Sequence, residues 1–184
     1  MNDWPSDYGK RVLTEVDSTN AEAARIAASL TGPEWILGLR QTHGRGRRGR
    51  PWQDPAGNFA ATLVMRPTQA PDQVALRSFV ASLALYDAFV AVSARPEAFA
   101  LKWPNDVLLN GGKVAGILLE SAGTTGSTMS HLSIGIGVNL VSSPGAEDVE
   151  ASGTRPVSLL SETGALVTPQ EFLDVLATTF ARYE

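Results

Sequence analysis

The 184-residue chain contains no cysteine. That excludes a disulfide framework, a thiolate metal site and a cysteine nucleophile. Histidine is scarce: His43 and His131 are the only two, which argues against a histidine-built metal site. No apolar run reaches the roughly 18 residues that a membrane-spanning helix needs. The N-terminal stretch MNDWPSDYGK has no apolar signal-peptide core. No phosphate-binding G-x-x-x-x-G-K-[ST] pattern and no internal repeat occur. Apolar residues make up 43% and charged residues 18%, a globular rather than disordered balance. The length suits one domain with one substantial core. The expectation is a cytoplasmic, single-domain enzyme with no membrane segment.

Positive charge is also scarce, except in one place. Lys and Arg number 15 against 19 Asp and Glu, a net of −4. Yet HGRGRRGRPW, His43 to Trp52, holds four arginines and three glycines. Without Arg45, Arg47, Arg48 and Arg50 the rest of the chain would carry a net of −8. Nucleic-acid binders usually spread basic charge over a face. Focused charge on a glycine-rich loop fits a small anion better. Glycines open backbone N–H groups to a ligand, and arginines add bidentate recognition of phosphate or carboxylate. Trp52 beyond the loop offers a flat face for stacking or for the core.

The hydrophobic pattern predicts a mixed, mostly antiparallel sheet with helices packed on it, an α+β fold. Strands are expected near 11–16, 35–41, 58–65, 99–103, 107–109, 113–120 and 131–140. Thr19-Asn20-Ala21-Glu22 has the form of a capping box and should open a helix to about Leu30. Over 72–92, Leu76, Phe79, Val80, Leu83, Tyr86 and Val90 recur at helical spacing, predicting a stripe that lies on the sheet. Asn110-Gly111 between apolar runs predicts a hairpin. Ser121–Ser130 reads as a small, polar, mobile stretch, and Ser142–Arg155 as a loop. A last helix from Pro169 to about Arg182 should bury Phe172, Leu173, Leu176 and Phe180.

Three further clusters carry chemical potential. Lys102-Trp-Pro-Asn105-Asp106 delivers polar groups through a proline turn, and Asp106 is a candidate Mg²⁺ ligand. The same Asn and Asp could simply bond their own turn. In Lys113-Val-Ala-Gly116-Ile-Leu-Leu-Glu120, strand alternation puts Lys113, Ala115, Ile117 and Leu119 on one face and Gly116 on the other. In Ile134-Gly-Ile-Gly-Val-Asn139, Gly135, Gly137 and Asn139 share a face where something flat can lie against the backbone. An anion-binding loop, a stacking surface, a lysine and a carboxylate together suit phosphate or acyl-phosphate chemistry.

These motifs, with Asp17-Ser18-Thr19-Asn20 and Gln41-Thr-His43-Gly44-Arg45-Gly46-Arg47-Arg48-Gly49-Arg50, occur in an order that resembles the catalytic domain of biotin–protein ligases. The resemblance covers nearly the whole chain and implies a class II synthetase-like fold. It implies ATP-dependent activation of biotin to biotinyl-5′-adenylate, then transfer to a lysine of a biotin carboxyl carrier domain in a carboxylase. ATP and Mg²⁺ would be co-substrate and ion, with no tightly bound prosthetic group. By resemblance, Ser18, Thr19, Asn20 and Gln41 would hold the biotin ring. Gly44, Arg45, Gly46 and Arg47 would close over its carboxylate, while Gly116, Gly135 and Gly137 line its ring and tail. Lys113 and Arg47 would be catalytic. Arg47, Arg48, Arg50, Trp52, Asn105, Asp106, Lys113 and Asn139 would serve ATP.

The chain departs from the pattern at His43, where a small residue is commoner, and at Pro51, where a charged one is. The resemblance also leads us to expect neither an N-terminal DNA-binding domain nor the small C-terminal β-barrel of the family within 1–184. It leaves homodimerisation open. Alternatives remain: a lipoate-type ligase of the same fold family, a biotin-binding fragment inactive without the barrel, or a nucleic-acid binder using the arginine loop.

Overall fold

The computed structural model describes residues 4–125, 128–145 and 154–184. Its frame is one seven-stranded sheet: β1 (Gly9–Leu13), β2 (Glu34–Gly38), β3 (Phe59–Met65), β4 (Phe99–Lys102), β5 (Asp106–Leu109), β6 (Gly112–Thr125) and β7 (Thr128–Val138). The spatial order is β1-β2-β3-β7-β6-β5-β4. β1 runs parallel to β2, and every other neighbouring pair is antiparallel. The mixed, mostly antiparallel α+β sheet expected from the pattern is the observed fold. The helices are α1 (Thr19–Ile26), α2 (Pro71–Ala75), α3 (Arg77–Ser93), α4 (Leu159–Thr163) and α5 (Pro169–Tyr183).

One sheet face is closed by α3 and α5. Leu63, Ile134, Ile136, Ile117 and Val107 point to this side and are essentially inaccessible to solvent. A row of aromatic rings fills the layer between. Phe89 stacks on Phe99 at 5.0 Å and meets Phe172 at 5.3 Å, while Phe172 reaches Phe59 at 5.1 Å. α5 buries Phe172, Leu173, Leu176 and Phe180 as its spacing predicts, and Thr168 and Glu171 close a capping box at its start. On the opposite face α1 and the turn after it cover only part of the sheet, with Ala23 and Ala27 against Ile36 and Val64. The uncovered remainder is where a cleft forms.

The long helix corrects the expected stripe. The segment breaks at Leu76 into α2 and α3. Leu76, Phe79 and Leu83 are exposed, and Val80, Tyr86 and Val90 only half-buried. The buried face is instead Arg77, Ala81, Ala84, Leu85, Ala88 and Phe89. The helix is apolar nearly all round, so periodicity could not choose a face. Packing chose it: small alanines let α5 approach closely, and Thr179 Oγ1 donates to the Ala84 carbonyl at 3.0 Å.

One hairpin is as expected and another is a correction. Asn110 and Gly111 do form a tight turn with φ of 49° and 79°. Ser121–Ser130, expected to be mobile, contains the ends of two long paired strands, with Ala122 opposite His131 and Thr125 opposite Thr128. Short polar side chains hid a ladder whose bonds are made by the backbone. Of the expected loop at 142–155, residues 146–153 lie outside the described residues, and α4 just after it was not anticipated.

The assignment of faces on α3 is testable by denaturant unfolding. Phe89→Ala should cost about 3–5 kcal/mol of stability by opening the aromatic row. Phe79→Ala should cost less than about 1 kcal/mol, as an exposed substitution does. Equal losses would restore the stripe read from periodicity.

Candidate active site

A cleft of about 620 Å³ opens on the sheet face opposite α3 and α5. It is lined by Ser18, Thr19, Asn20 and Gln41 at one end and by Arg47, Arg48, Arg50, Asn105, Asp106 and Asn139 at the other. Arg45, Gly46, Trp52, Lys113, Gly116, Gly135 and Gly137 also line it. The structure therefore brings together every residue singled out by sequence except Gly44. That glycine lies buried under the loop, where a Cβ would stand 2.7 Å from the Trp52 carbonyl and 2.9 Å from Gln41 Nε2. Its role is to let the loop close on itself.

The uncharged end is built around the start of α1. Asp17 grips Arg25 through both oxygens, at 2.7 and 3.0 Å, and accepts the Ser18 backbone N–H at 2.8 Å. These bonds hold its carboxyl well below the usual carboxylate range. Helix α1 does begin at Thr19, but the expected capping box does not form. Thr19 is committed elsewhere: its N–H and hydroxyl donate to Gln41 Oε1 at 2.9 and 3.2 Å. The Thr62 hydroxyl, from β3, donates to Asn20 Oδ1 at 2.6 Å and sits 2.8 Å from Thr19 Oγ1. Asn20 Nδ2 donates to Glu120 Oε2 at 2.7 Å. Ser18, Thr19, Asn20 and Thr62 are all buried, so their directions are set by one another.

The arginine segment is a small hairpin. Trp52 N–H donates to the Gly44 carbonyl at 2.9 Å and Gly46 N–H to the Arg50 carbonyl at 2.7 Å. The tip turns through Arg48 and Gly49, with φ of 58° and 72°. Glycine accepts that region freely, while a non-glycine residue there is uncommon. Arg47 donates to Asn105 Oδ1 at 2.9 Å, and Arg45 Nη2 stands 3.6 Å from Glu120 Oε2.

Lys113 lies where the two ends meet, and a bulge puts it there. β5 pairs Val107 with Ala115 but Leu108 with Lys113, leaving Val114 as an extra residue in β6. Val114 and Ala115 both face the core, so Lys113 emerges on the opposite side, with Gly116. Strand alternation had placed Lys113 with Ala115 and Ile117; the bulge overturns that. The segment around Pro156 pins it. Lys113 N–H donates to the Arg155 carbonyl at 2.7 Å, and Val157 N–H to the Lys113 carbonyl at 3.0 Å. Gly112 makes this approach feasible, since a Cβ there would stand 2.3 Å from Val157 Cγ1.

Lys113 Nζ is 2.8 Å from Asp106 Oδ1, an ion pair lacking hydrogen-bond alignment. It also stands 5.9 Å from the Trp52 ring centroid, within cation–π range. The indole lies on the glycine face: a Cβ on Gly137 would be 2.4 Å from Trp52 Cε2, and one on Gly116 would be 3.4 Å from Cζ3. A Cβ on Gly135 would strike Asn20 Oδ1 at 2.4 Å. The glycines thus admit the protein's own Trp52 and Asn20 close to the backbone. Trp52 Nε1 is buried without a hydrogen-bond partner, packed over Gly137. Asn139 Nδ2 donates to the Val157 carbonyl at 3.1 Å, fixing which way its amide points.

Three residues of the site were not assigned from sequence: Glu120, Thr62 and Asp54. Glu120 stands in a quoted motif, and Thr62 is the lone hydroxyl in the apolar run FAATLVM. Asp54 Oδ2 accepts the Gln41 N–H at 3.1 Å, while its Oδ1 is buried without a partner. Burial pushes its carboxyl up to about 6, partly opposed by the Gln41 hydrogen bond. No group of three metal-ligating side chains occurs among the described residues.

Because the raised carboxyl binds its proton more tightly folded than unfolded, it lowers stability as pH rises from about 4 to about 6. The stability difference between Asp54→Asn and the parent chain should therefore grow in the variant's favour across that window. It should level off near 1–2 kcal/mol after solvent screening, about half the unscreened linkage. Urea unfolding at several pH values reads this directly, and a flat difference would contradict it.

This geometry has close counterparts. Residues 11–139 match the biotin/lipoate A/B protein ligase family. A biotin–[acetyl-CoA-carboxylase] ligase of Paracoccus denitrificans is 55% identical over 173 residues, which span 94% of this chain and 72% of that protein. A ligase of the same name from Mycobacterium tuberculosis is 36% identical, over 80% of this chain and 54% of its own length. Among solved structures, biotin protein ligase of Aquifex aeolicus in complex with biotin and ATP superimposes with a TM-score of 0.77 at 28% identity, over 95% of this chain and 69% of that one. The Leishmania major enzyme in complex with biotinyl-5-AMP gives 0.78 at 25% identity, over 97% and 75%. On the match over 129 of its residues and on these relatives, the chain belongs to the biotin/lipoate A/B protein ligase family.

Proposed function

We propose that this chain is the catalytic domain of a biotin–[carboxyl-carrier-protein] ligase, activating biotin with ATP and passing it to a carrier lysine. The observation that carries the reading is the position of Lys113. The bulge sets its ammonium between an uncharged, hydrogen-bonding end and an arginine-rich end of one cleft. A substrate with a polar neutral head and a carboxylate tail fits that order. Its head meets Ser18, Thr19, Asn20 and Gln41, and its carboxylate arrives near Lys113 and the arginine hairpin.

The first step joins two anions. A carboxylate oxygen attacks the α-phosphorus of ATP, an acyl–phosphate bond forms, and pyrophosphate leaves. Positioning and positive charge supply most of the catalysis in such a step. Lys113 and Arg47 are placed to stabilise charge on the phosphoryl oxygens, and Arg48 and Arg50 extend the positive wall. Asp106 and Asn105 bind the hands of these cations, which keeps them oriented before substrate enters. A bound Mg²⁺ would neutralise phosphate charge, with Asp106 the carboxylate to hold it. Trp52 gives a flat wall for a base or a bicyclic ring, and Asn139 offers its carbonyl oxygen. In the second step a carrier lysine amine attacks the acyl carbon and AMP leaves. The mixed anhydride must meanwhile be kept from water, and the arginine hairpin over the cleft serves that.

Pyrophosphate release with Mg·ATP should require biotin, and biotin should be the preferred ligand in direct competition with lipoate. Lys113→Ala should lower the rate about 100-fold or more. Release independent of biotin would defeat the reading. Arg47→Gly should speed loss of the bound adenylate about 10- to 100-fold, the cost of a charge-assisted bond. An unchanged dissociation rate would remove the hairpin from that role.

A further inference from the structure

Glu120, behind the cleft lining and in contact with Asn20 and Arg45, is an acid that neither the motif roles nor the reaction steps use. One of its oxygens, Oε2, does two things. It accepts from Asn20 Nδ2 at 2.7 Å, and it stands 3.6 Å from Arg45 Nη2. The two contacts differ in what they need. Asn20 needs an acceptor, because its other amide atom already takes the Thr62 hydroxyl at 2.6 Å and cannot turn. Gly135 leaves room for that amide against the sheet, since a Cβ there would stand 2.4 Å from Asn20 Oδ1. Arg45 needs only negative charge. Its side chain is 47% exposed and Glu120 41% exposed, so the pair is solvent-screened and readily exchanged.

We infer that Glu120 is a positioning residue that holds Arg45 as a resident carboxylate and yields it to the carboxylate of the incoming substrate, while continuing to orient Asn20. The inference rests on the biotin reading above. It makes the closing of the arginine hairpin a trade of one carboxylate for another on Arg45. Part of the substrate's attraction is then spent displacing Glu120. The cost falls on carboxylate ligands alone: a ligand without a carboxylate does not make the trade and leaves Arg45 where it is.

The two duties of Glu120 give variants of opposite sign. Glu120→Gln keeps an acceptor for Asn20 but removes the competing charge. It should tighten biotin binding about two- to fivefold, the range of an exposed ion pair, and leave the uncharged biotinamide unaffected. Glu120→Ala removes both and should weaken biotinamide about tenfold but biotin less, about two- to fivefold, because loss of the competing charge offsets part of the cost for a carboxylate. In an Arg45→Ala background the Glu120→Gln gain should vanish, as the coupling cycle requires. Binding is measured by calorimetry, with thermal unfolding confirming that each variant is folded. Unchanged or weaker biotin binding in Glu120→Gln overturns the inference, and so does a gain that persists without Arg45 or extends to biotinamide. Failure of the parent chain to bind biotin at all would instead overturn the functional reading on which it rests.

Discussion

The site depends on one extra residue in a strand. Antiparallel pairing alone would send the Lys113 side chain into the layer under α3 and α5, where an unpaired ammonium would be costly to bury. Val114 breaks the alternation by sharing the core side with Ala115, and Lys113 turns to the open face. Bulges commonly re-aim side chains next to active sites. Here the bulge is held from both sides, by β5 and by the Arg155–Val157 segment crossing close over Gly112. The lysine position is therefore a property of a hairpin and of a third segment, Arg155–Val157, far along the chain.

Around that lysine, charges are arranged so that inward-facing cations have weak internal partners. Lys113 faces Asp106, Arg45 faces Glu120 and Arg47 faces the Asn105 carbonyl oxygen. Such partners keep flexible cations oriented yet compete poorly with a phosphate or a full substrate carboxylate. The surrounding chain is acidic, so attraction for anions is confined to the cleft mouth. The neutral end works differently. Hydroxyl and amide groups of the buried Thr19, Thr62 and Asn20 and the half-buried Gln41 point one another, giving a fixed pattern of donors and acceptors rather than a field.

The glycines of β6 and β7 connect the two ends. Gly116 and Gly137 let the Trp52 ring lie on the sheet, and Gly135 makes room for Asn20. The wall of the cleft is thus made of side chains pressed against backbone. The sheet stays rigid beneath it because its other face is filled by the aromatic row of Phe59, Phe89, Phe99 and Phe172.

Much of this was legible in the sequence. The succession of strands along the chain, the Asn110-Gly111 turn, the buried face of α5 and the arginine loop follow from local rules, because propensity, turn geometry and spacing act over a few residues. The resemblance carried by Gly44–Arg50 and Lys102–Asp106 brought the family with it. What tertiary structure alone decided lies where two distant segments compete. The buried face of α3 was chosen by its alanines fitting α5, since an apolar helix offers no preferred side. Thr19 gave up its capping role because Gln41 and Thr62 reach it first. Glu120, silent in its motif, acquired a role only when Asn20 and Arg45 folded against it. Lys113 changed faces because a bulge is a mismatch between strands, and no single strand records it.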